Sequence, residues 1–121
     1  MSRKVLAVDD SRTMRDMVSF TLREAGFAVV EAEDGLAAIE ALKTETVDLV
    51  ITDVNMPRMD GLTFLKEFRA DPAKKGVPVL ILTTESDDSL RQKGRAAGAT
   101  GWIVKPFEPE KLLQVVNKVC G

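Results

Sequence analysis

Acidic, hydroxyl and amine side chains follow short apolar runs at four points along the chain. Asp9 and Asp10 follow the first such run, Asp53 follows the third, Thr83 and Thr84 follow the fourth and Lys105 follows the fifth. Burying a carboxylate costs free energy unless something compensates its charge, so a carboxylate at the end of an apolar run needs a partner or a chemical role. Carboxylates, a hydroxyl and an amine are groups that metal-assisted phosphoryl transfer uses.

A shared pocket for the three carboxylates would need a cation, because like charges at close range repel and raise at least one pKa. The chain has no histidine and a single cysteine. Oxygen ligands alone favour a hard ion, and a site with few protein ligands that leaves positions for water and phosphate suits Mg²⁺ better than Ca²⁺. The sequence therefore predicts an Mg²⁺ site, and it excludes imidazole acid–base catalysis.

A carboxylate beside such a metal and a lysine is a candidate nucleophile, which would form an aspartyl phosphate. Lys105 would pair with a carboxylate at rest and with a phosphoryl oxygen afterwards, and Thr83 would supply a neutral hydrogen-bond donor. The same metal could orient a water for hydrolysis. These groups together predict a reversible covalent modification.

The elements that must position these residues follow from the periodicity of the apolar side chains. The predicted strands are Val5–Val8, Ala28–Val30, Leu49–Ile51, Val79–Leu82 and Trp102–Val104. Strands that are nearly continuous in Val, Ile and Leu and that alternate with helices are typical of a parallel sheet covered by helices on both faces. Since the carboxyl ends of parallel strands lie at one edge, where ligands bind in open α/β sheets, the polar groups should converge there.

The helices are predicted from apolar faces between the strands. The first face comprises Met14, Met17, Val18, Thr21, Leu22 and Ala25, with Gly26 as the stop. Two further faces comprise Leu62, Leu65 and Phe68, and Leu112, Val115, Val116 and Val119, the latter with Pro109 in its first turn. Weaker amphipathic patterns cover Leu36–Leu42 and Ser89–Ala97. Asp71–Gly76 is expected to be a surface loop.

Each candidate residue also has a structural interpretation that the sequence leaves open. These roles are helix caps and turns, and the residues open to them are Asp9, Asp10, Ser11, Asp53, Thr83, Thr84 and Lys105. For all of these roles to be correct, four strands would have to place complementary charges at one edge by chance. The functional interpretation is therefore favoured.

Length and composition limit the class of protein. The 121 residues predict one domain over 1–121. A net charge of −2 with mixed signs predicts no nucleic-acid partner. No apolar run approaches the roughly 20 residues of a membrane helix, no secretory signal is visible, and the single Cys120 cannot form an internal disulfide. We therefore expect a cytoplasmic protein with no membrane partner.

The motifs in their order resemble the receiver domain of two-component response regulators, and most of all the stand-alone chemotaxis type. The resemblance spans the whole chain and rests on Lys4–Ser11, Thr52–Gly61 and Trp102–Phe107. It implies a flavodoxin-like, doubly wound (βα)5 sandwich whose five-stranded parallel sheet has the order 2-1-3-4-5.

The resemblance also implies a role for each residue of the site. Asp53 would accept a phosphoryl group from a histidine kinase. Asp10 and Asp53 would bind Mg²⁺ directly with the backbone carbonyl of Asn55, while Asp9 would act mainly through water. Lys105 would pair with the phosphoryl oxygen.

A two-state switch is implied as well. Thr83 would hydrogen-bond the phosphoryl group and move toward it, and Trp102, where Tyr or Phe is more usual, would swing inward. Asn55 and Glu85 would tune attack by water, and the bond before Pro106 would be cis. The fourth helix, fifth strand and fifth helix would then form the surface that partners bind.

The favoured function is a monomeric signalling switch, not an enzyme, that is phosphorylated by a histidine kinase and acts in chemotaxis or flagellar motor control. Its downstream partner would be a protein such as the flagellar motor switch or a phosphatase. A phosphate sink or phosphorelay intermediate would use the same site. The alternatives of another class are an interaction module that is not phosphorylated and a metal-dependent phosphatase.

Overall fold

Five apolar segments pair side by side in a single parallel sheet. The computed structural model describes residues 3–120. Its strands are β1 (Lys4–Val8), β2 (Ala28–Ala32), β3 (Leu49–Thr52), β4 (Val79–Thr83) and β5 (Gly101–Val104). They lie in the order β2-β1-β3-β4-β5, and every neighbouring pair is parallel. The predicted flavodoxin-like architecture and its strand order are confirmed.

Helices cover both faces of the sheet. They are α1 (Arg12–Glu24), α2 (Gly35–Leu42), α3 (Gly61–Ala70), α4 (Asp88–Ala96) and α5 (Pro109–Cys120). Successive strand residues point to opposite faces, so Val5 belongs to a core cluster with Leu22 and Leu112, whereas Leu6 belongs to a second cluster with Phe64. Every residue of β3 and β4 is buried, as expected for central strands covered on both sides.

The helix caps bear on the structural interpretations left open by the sequence. Ser11 caps α1 by accepting a hydrogen bond from the backbone N–H of Met14, and Asp87 caps α4 through the N–H groups of Ser89 and Leu90. The capping role is therefore correct for Ser11. One of the three residues Asp9, Asp10 and Ser11 thus caps α1, as the structural interpretation had it, whereas Thr83 and Thr84 do not cap α4. The carboxylates of Asp9 and Asp10 and the hydroxyl of Thr83 are therefore not used as helix caps.

Two details differ from the expectations. Met17 was expected on the buried face of α1 but is 47% exposed, because each residue turns about 100° around a helix and Met17 lies to one side of the buried Val18 and Leu22. The expected surface loop after α3 contains a short 3-10 turn over Pro72–Lys74, which Asp71 caps through the N–H of Ala73. Among residues 3–120, no helix is long and apolar enough to cross a membrane.

Candidate functional site

The register of β1 and β3 places Asp9 and Asp53 side by side. Val8 pairs with Thr52 at the end of the two strands, and the N–H of Asp53 donates to the carbonyl oxygen of Val8 at 3.0 Å. Both carboxylates thus leave the sheet at its carboxyl edge, where β1 lies between β2 and β3. Ligands of open α/β sheets bind where the strand order reverses in this way.

Lys105 follows β5, the outermost strand on one side of the sheet, and its side chain reaches these carboxylates. Its backbone N–H donates to the carbonyl oxygen of Thr83 at 2.8 Å, which anchors the residue beside β4. Its ammonium nitrogen lies 2.6 Å from Oδ2 of Asp9 and 2.8 Å from Oδ2 of Asp53. The side chain of Lys105 is only 8% exposed, so this is a largely buried ion pair. The bond between Lys105 and Pro106 is cis, as the resemblance implies.

Burial and pairing act in opposite directions on these groups. Burial raises the pKa of the Asp9 carboxyl, and hydrogen bonds from Lys105 and from the N–H of Ser11 offset part of that rise. Burial disfavours the ammonium charge of Lys105, but its hydrogen bonds to Asp53 and Asp9 outweigh this effect and raise the pKa of Lys105. Lys105 is therefore a cation at neutral pH and stays with the carboxylates.

The third carboxylate, Asp10, completes an acidic cluster. Asp9, Asp10 and Asp53 each offer an oxygen that lies within 4.8 Å of the others. One lysine beside three carboxylates leaves two negative charges uncompensated, which matches a divalent cation, and the all-oxygen donor set fits Mg²⁺. The residues present thus fit the metal that the sequence predicts, with Asp10 as the exposed member of the cluster.

The segment that follows β4 contributes further polar groups to the site. Thr83 is fully buried at the strand end, and its hydroxyl oxygen accepts the backbone N–H of Glu85 at 3.4 Å. The amide of Asn55 donates to the carboxylate of Glu85 at 3.2 Å. The two residues expected to tune attack by water are therefore in contact. Trp102 lies partly buried behind them, and its indole N–H donates to the backbone carbonyl of Glu85 at 2.9 Å.

The loop that carries Asn55 is held by residues that the sequence analysis did not identify. Arg58 has a left-handed backbone with a φ of 63°, and its guanidinium donates twice to the buried carboxylate of Asp34, at 2.6 and 3.0 Å. This hydrogen bonding lowers the pKa of Asp34, which also caps α2. The N–H of Gly35 donates to the carbonyl of Met59 at 3.1 Å. The start of α2 therefore fixes the loop from the side opposite the lysine.

Gly61 also has a contact at the site that the sequence analysis did not identify. Its N–H donates to the carbonyl of Val54 at 2.8 Å, and a β-carbon there would overlap the carbonyl oxygen of Asp53 and lie 3.0 Å from the α-carbon of Val54. The first turn of α3 can approach the strand end this closely only because position 61 carries no side chain. The glycine after Asp60 was part of the recognised motif, but its contact with Asp53 was not predicted.

Comparisons with known proteins agree with this fold. Residues 5–117 match the family described as the response regulator receiver domain, and the chain belongs to that family. It is similar to the chemotaxis protein CheY-3 of Vibrio cholerae serotype O1, with 44% identity over 96% of this chain and 90% of the relative.

Two solved structures add detail. The chemotaxis response regulator CheY4 of Vibrio cholerae superposes with a TM-score of 0.93 and 48% identity, covering 98% of this chain and 99% of the other. The receiver domain of a sensor histidine kinase from Pseudomonas aeruginosa PAO1, described with a magnesium ion in its active-site cleft, gives a TM-score of 0.91 at 25% identity over 100% and 99% of the two chains. The chain is thus a receiver domain of the type found in chemotaxis response regulators.

Proposed function

We propose that this protein is a two-component signalling switch in which Asp53 accepts a phosphoryl group from a histidine kinase. The observation that carries the proposal is the contact of Lys105 with both Asp9 and Asp53 in a cluster that also contains Asp10. A lysine that served only to neutralise one carboxylate would need one partner. A lysine shared by two carboxylates, beside a third, leaves negative charge that a divalent cation would balance, and the metal and the lysine together would then receive the phosphoryl group.

The transfer balances with the groups present. A carboxylate oxygen of Asp53 forms a bond to phosphorus, the bond between phosphorus and the kinase imidazole nitrogen breaks, and the imidazole leaves. The N–H of Val54 already donates to Oδ1 of Asp53 at 2.6 Å, and Lys105 donates to Oδ2. In the product, Lys105 pairs with a phosphoryl oxygen and the buried Thr83 hydroxyl donates to another, which spreads the added charge.

Mg²⁺ would be held by Asp10, Asp53 and the backbone carbonyl of Asn55, with Asp9 acting mainly through water. When bound, it would supply positive charge against the developing negative charge of the phosphoryl group. The magnesium ion described in a related receiver domain supports this assignment. The residues of the chain itself orient the carboxylate of Asp53 and keep Lys105 within reach of both Asp9 and Asp53.

The output would follow from the charge that phosphorylation adds, about −1.5 to −2 at neutral pH. Thr83 and Lys105 would shift toward the new oxygens, and the segment through Glu85 would move with Thr83 because the two are hydrogen-bonded. The face formed by α4, β5 and α5 would change in consequence. The similarity to chemotaxis proteins supports a cytoplasmic role in flagellar motor control.

Transfer from a phosphorylated histidine kinase tests the proposal. The wild-type protein should take the label from the kinase in the presence of Mg²⁺, and Asp53→Asn should not. Asp16→Asn is the matched control, because Asp16 is exposed on α1 and pairs only loosely with Arg12 at 3.9 Å. Equal labelling of wild type and Asp53→Asn would refute the assignment.

The output needs a separate experiment, because a phosphate sink would be labelled in the same way. Binding to the purified flagellar motor switch protein should strengthen on phosphorylation and should be lost in Asp53→Asn. Labelling without any gain in motor-switch binding would favour the sink or relay function. Binding that is equal in both proteins would favour the module that acts without phosphorylation.

A further inference from the structure

The indole of Trp102 packs against helix α4 at a glycine. A β-carbon at the buried Gly94 would lie 2.8 Å from Cζ3 and 3.3 Å from Cε3 of the indole. Real β-carbons essentially never approach another atom within 3.0 Å, so any side chain at this position requires a shift. The neighbour is a rigid aromatic ring and cannot bend away at its tip. Gly94 therefore provides the space that the six-membered ring of Trp102 occupies.

The other end of the indole is held as well. Its N–H donates to the backbone carbonyl of Glu85 at 2.9 Å, and the guanidinium of Arg91 lies 6.0 Å from the centre of the ring. A ring fixed at both ends moves as a unit. Displacement at Gly94 would consequently disturb the hydrogen bond to Glu85.

Glu85 uses three of its polar groups in this arrangement. Its carbonyl accepts the indole N–H, its backbone N–H donates to the hydroxyl of Thr83 at 3.4 Å, and its carboxylate accepts the amide of Asn55 at 3.2 Å. Glu85 thus connects Trp102 to the residue two positions after Asp53. A change in the position of the indole can therefore reach Asn55 through its contact with Glu85.

We propose that Gly94 is a positioning residue: it leaves the space in which the half-buried indole of Trp102 packs against α4, and Trp102 in turn holds Glu85 against Asn55. The consequence for the chemistry rests on the proposed function. If Asp53 carries a phosphoryl group, the contact between Glu85 and Asn55 narrows the approach of water to it. The fit of the Trp102 indole against Gly94 thus keeps Glu85 on Asn55, and this contact lengthens the lifetime of the phosphorylated state.

Gly94→Ala tests this fit in the protein without phosphorylation. The variant should fold, because alanine is favoured over glycine inside a helix. Trp102 is the only tryptophan, so its emission reports the indole directly. We expect a shift to longer wavelength and stronger quenching by acrylamide. Gly76→Ala is the control, since a β-carbon there meets nothing within 4 Å, and its emission should match wild type. Unchanged emission in Gly94→Ala would overturn the fit of the indole against Gly94.

The link to Glu85 has its own measurement. The side-chain amide resonances of Asn55 should move in Gly94→Ala, toward the positions that they take in Glu85→Ala. Asn55 resonances that stay at their wild-type positions while the emission shifts would overturn the positioning of Glu85. Both measurements use the unphosphorylated protein. They therefore test the positions of Trp102 and Glu85 even if the protein is never phosphorylated.

The effect on lifetime is tested by combining the variants. Gly94→Ala should shorten the lifetime of the phosphorylated protein, but it should have no further effect when added to Glu85→Ala, because the path runs through Glu85. Independent effects of the two substitutions would contradict that path. Absence of any phosphorylation in the wild type would instead refute the proposed function.

Discussion

The ammonium nitrogen of Lys105 lies 2.8 Å from a carboxylate oxygen of Asp53, although 52 positions separate the two residues in the chain. The contact exists because β4 lies between β3 and β5 and all three strands point the same way. Asp9 shares the same ammonium from the next strand over. A single cation thus joins three strands of the sheet at the edge where ligands bind.

Lys105→Met should slow phosphorylation without abolishing it. Removing one preorganised donor from a developing negative charge costs about 10²-fold in rate in comparable sites, and Asp53 itself remains. Coupling to the output should weaken as well, because Lys105 is anchored to Thr83 through the backbone. Lys111→Met is the control, since Lys111 is exposed on α5. Wild-type rates and wild-type partner binding in Lys105→Met would show that the lysine has no part in the reaction.

Asp10→Asn should weaken Mg²⁺ binding measured by calorimetry. Substitutions that only disturb the orientation of metal ligands cost about 10- to 100-fold in affinity, and we expect at least that loss for a direct ligand. Asp10 is exposed, so we expect the substitution to leave the fold intact. A melting temperature equal to that of wild type in the absence of metal would show that the loss of Mg²⁺ affinity does not come from unfolding. If Asp10→Asn and the surface variant Asp16→Asn bind Mg²⁺ as tightly as wild type, the metal lies elsewhere.

How far the sequence predicts the site depends on the kind of contact. Asp9, Asp53 and Lys105 follow apolar strands directly, and the parallel sheet brings strand ends together whatever the side chains between them do. The pair of Arg58 and Asp34 could not be found in this way. It depends on a left-handed backbone at Arg58 and on the approach of the β3–α3 loop to α2, and neither has a signature in the periodicity.

The fold likewise has features that the sequence predicts and features that depend on packing. The strands were predicted to within two residues because their apolar runs are short and sharply bounded. The buried face of α1 was less well defined, since the amphipathic pattern did not distinguish the exposed Met17 from the buried Val18. The seat of Trp102 against Gly94 depends on the packing of α4, which sequence periodicity does not resolve.

The pair of Arg58 and Asp34 should give stability a specific pH dependence. Because hydrogen bonding from Arg58 lowers the pKa of Asp34 in the folded protein, the contribution of the pair is fully present above the unperturbed aspartate value of about 3.9. It is lost as the pH falls through the folded pKa. The difference in unfolding free energy between wild type and Arg58→Gln should therefore shrink on acidification.

Urea titrations at a series of pH values between neutral and acid measure this difference. Arg12→Gln serves as the control, because Arg12 and Asp16 form an exposed pair at 3.9 Å. A constant difference between wild type and Arg58→Gln across the whole range would mean that Asp34 does not supply the effect.

Gly61→Ala should destabilise the protein and impair the site together. The added β-carbon would overlap the carbonyl oxygen of Asp53, and overpacking of this kind costs about 1–3 kcal/mol. Gly76→Ala should stay within about 0.5 kcal/mol of wild type because its surroundings are open. Chemical denaturation measures both. Equal stability of the two variants would show that α3 can retreat from β3 at no cost.

The most direct test of the central claim is mass analysis of the protein after incubation with Mg²⁺ and a small acyl or amide phosphodonor. The account predicts one added phosphoryl group that is sensitive to hydroxylamine and maps to the peptide containing Asp53. The adduct should be absent in Asp53→Asn and greatly reduced when Mg²⁺ is chelated. An unmodified wild-type protein after exposure to both donor and kinase, or an adduct that persists in Asp53→Asn, would contradict it.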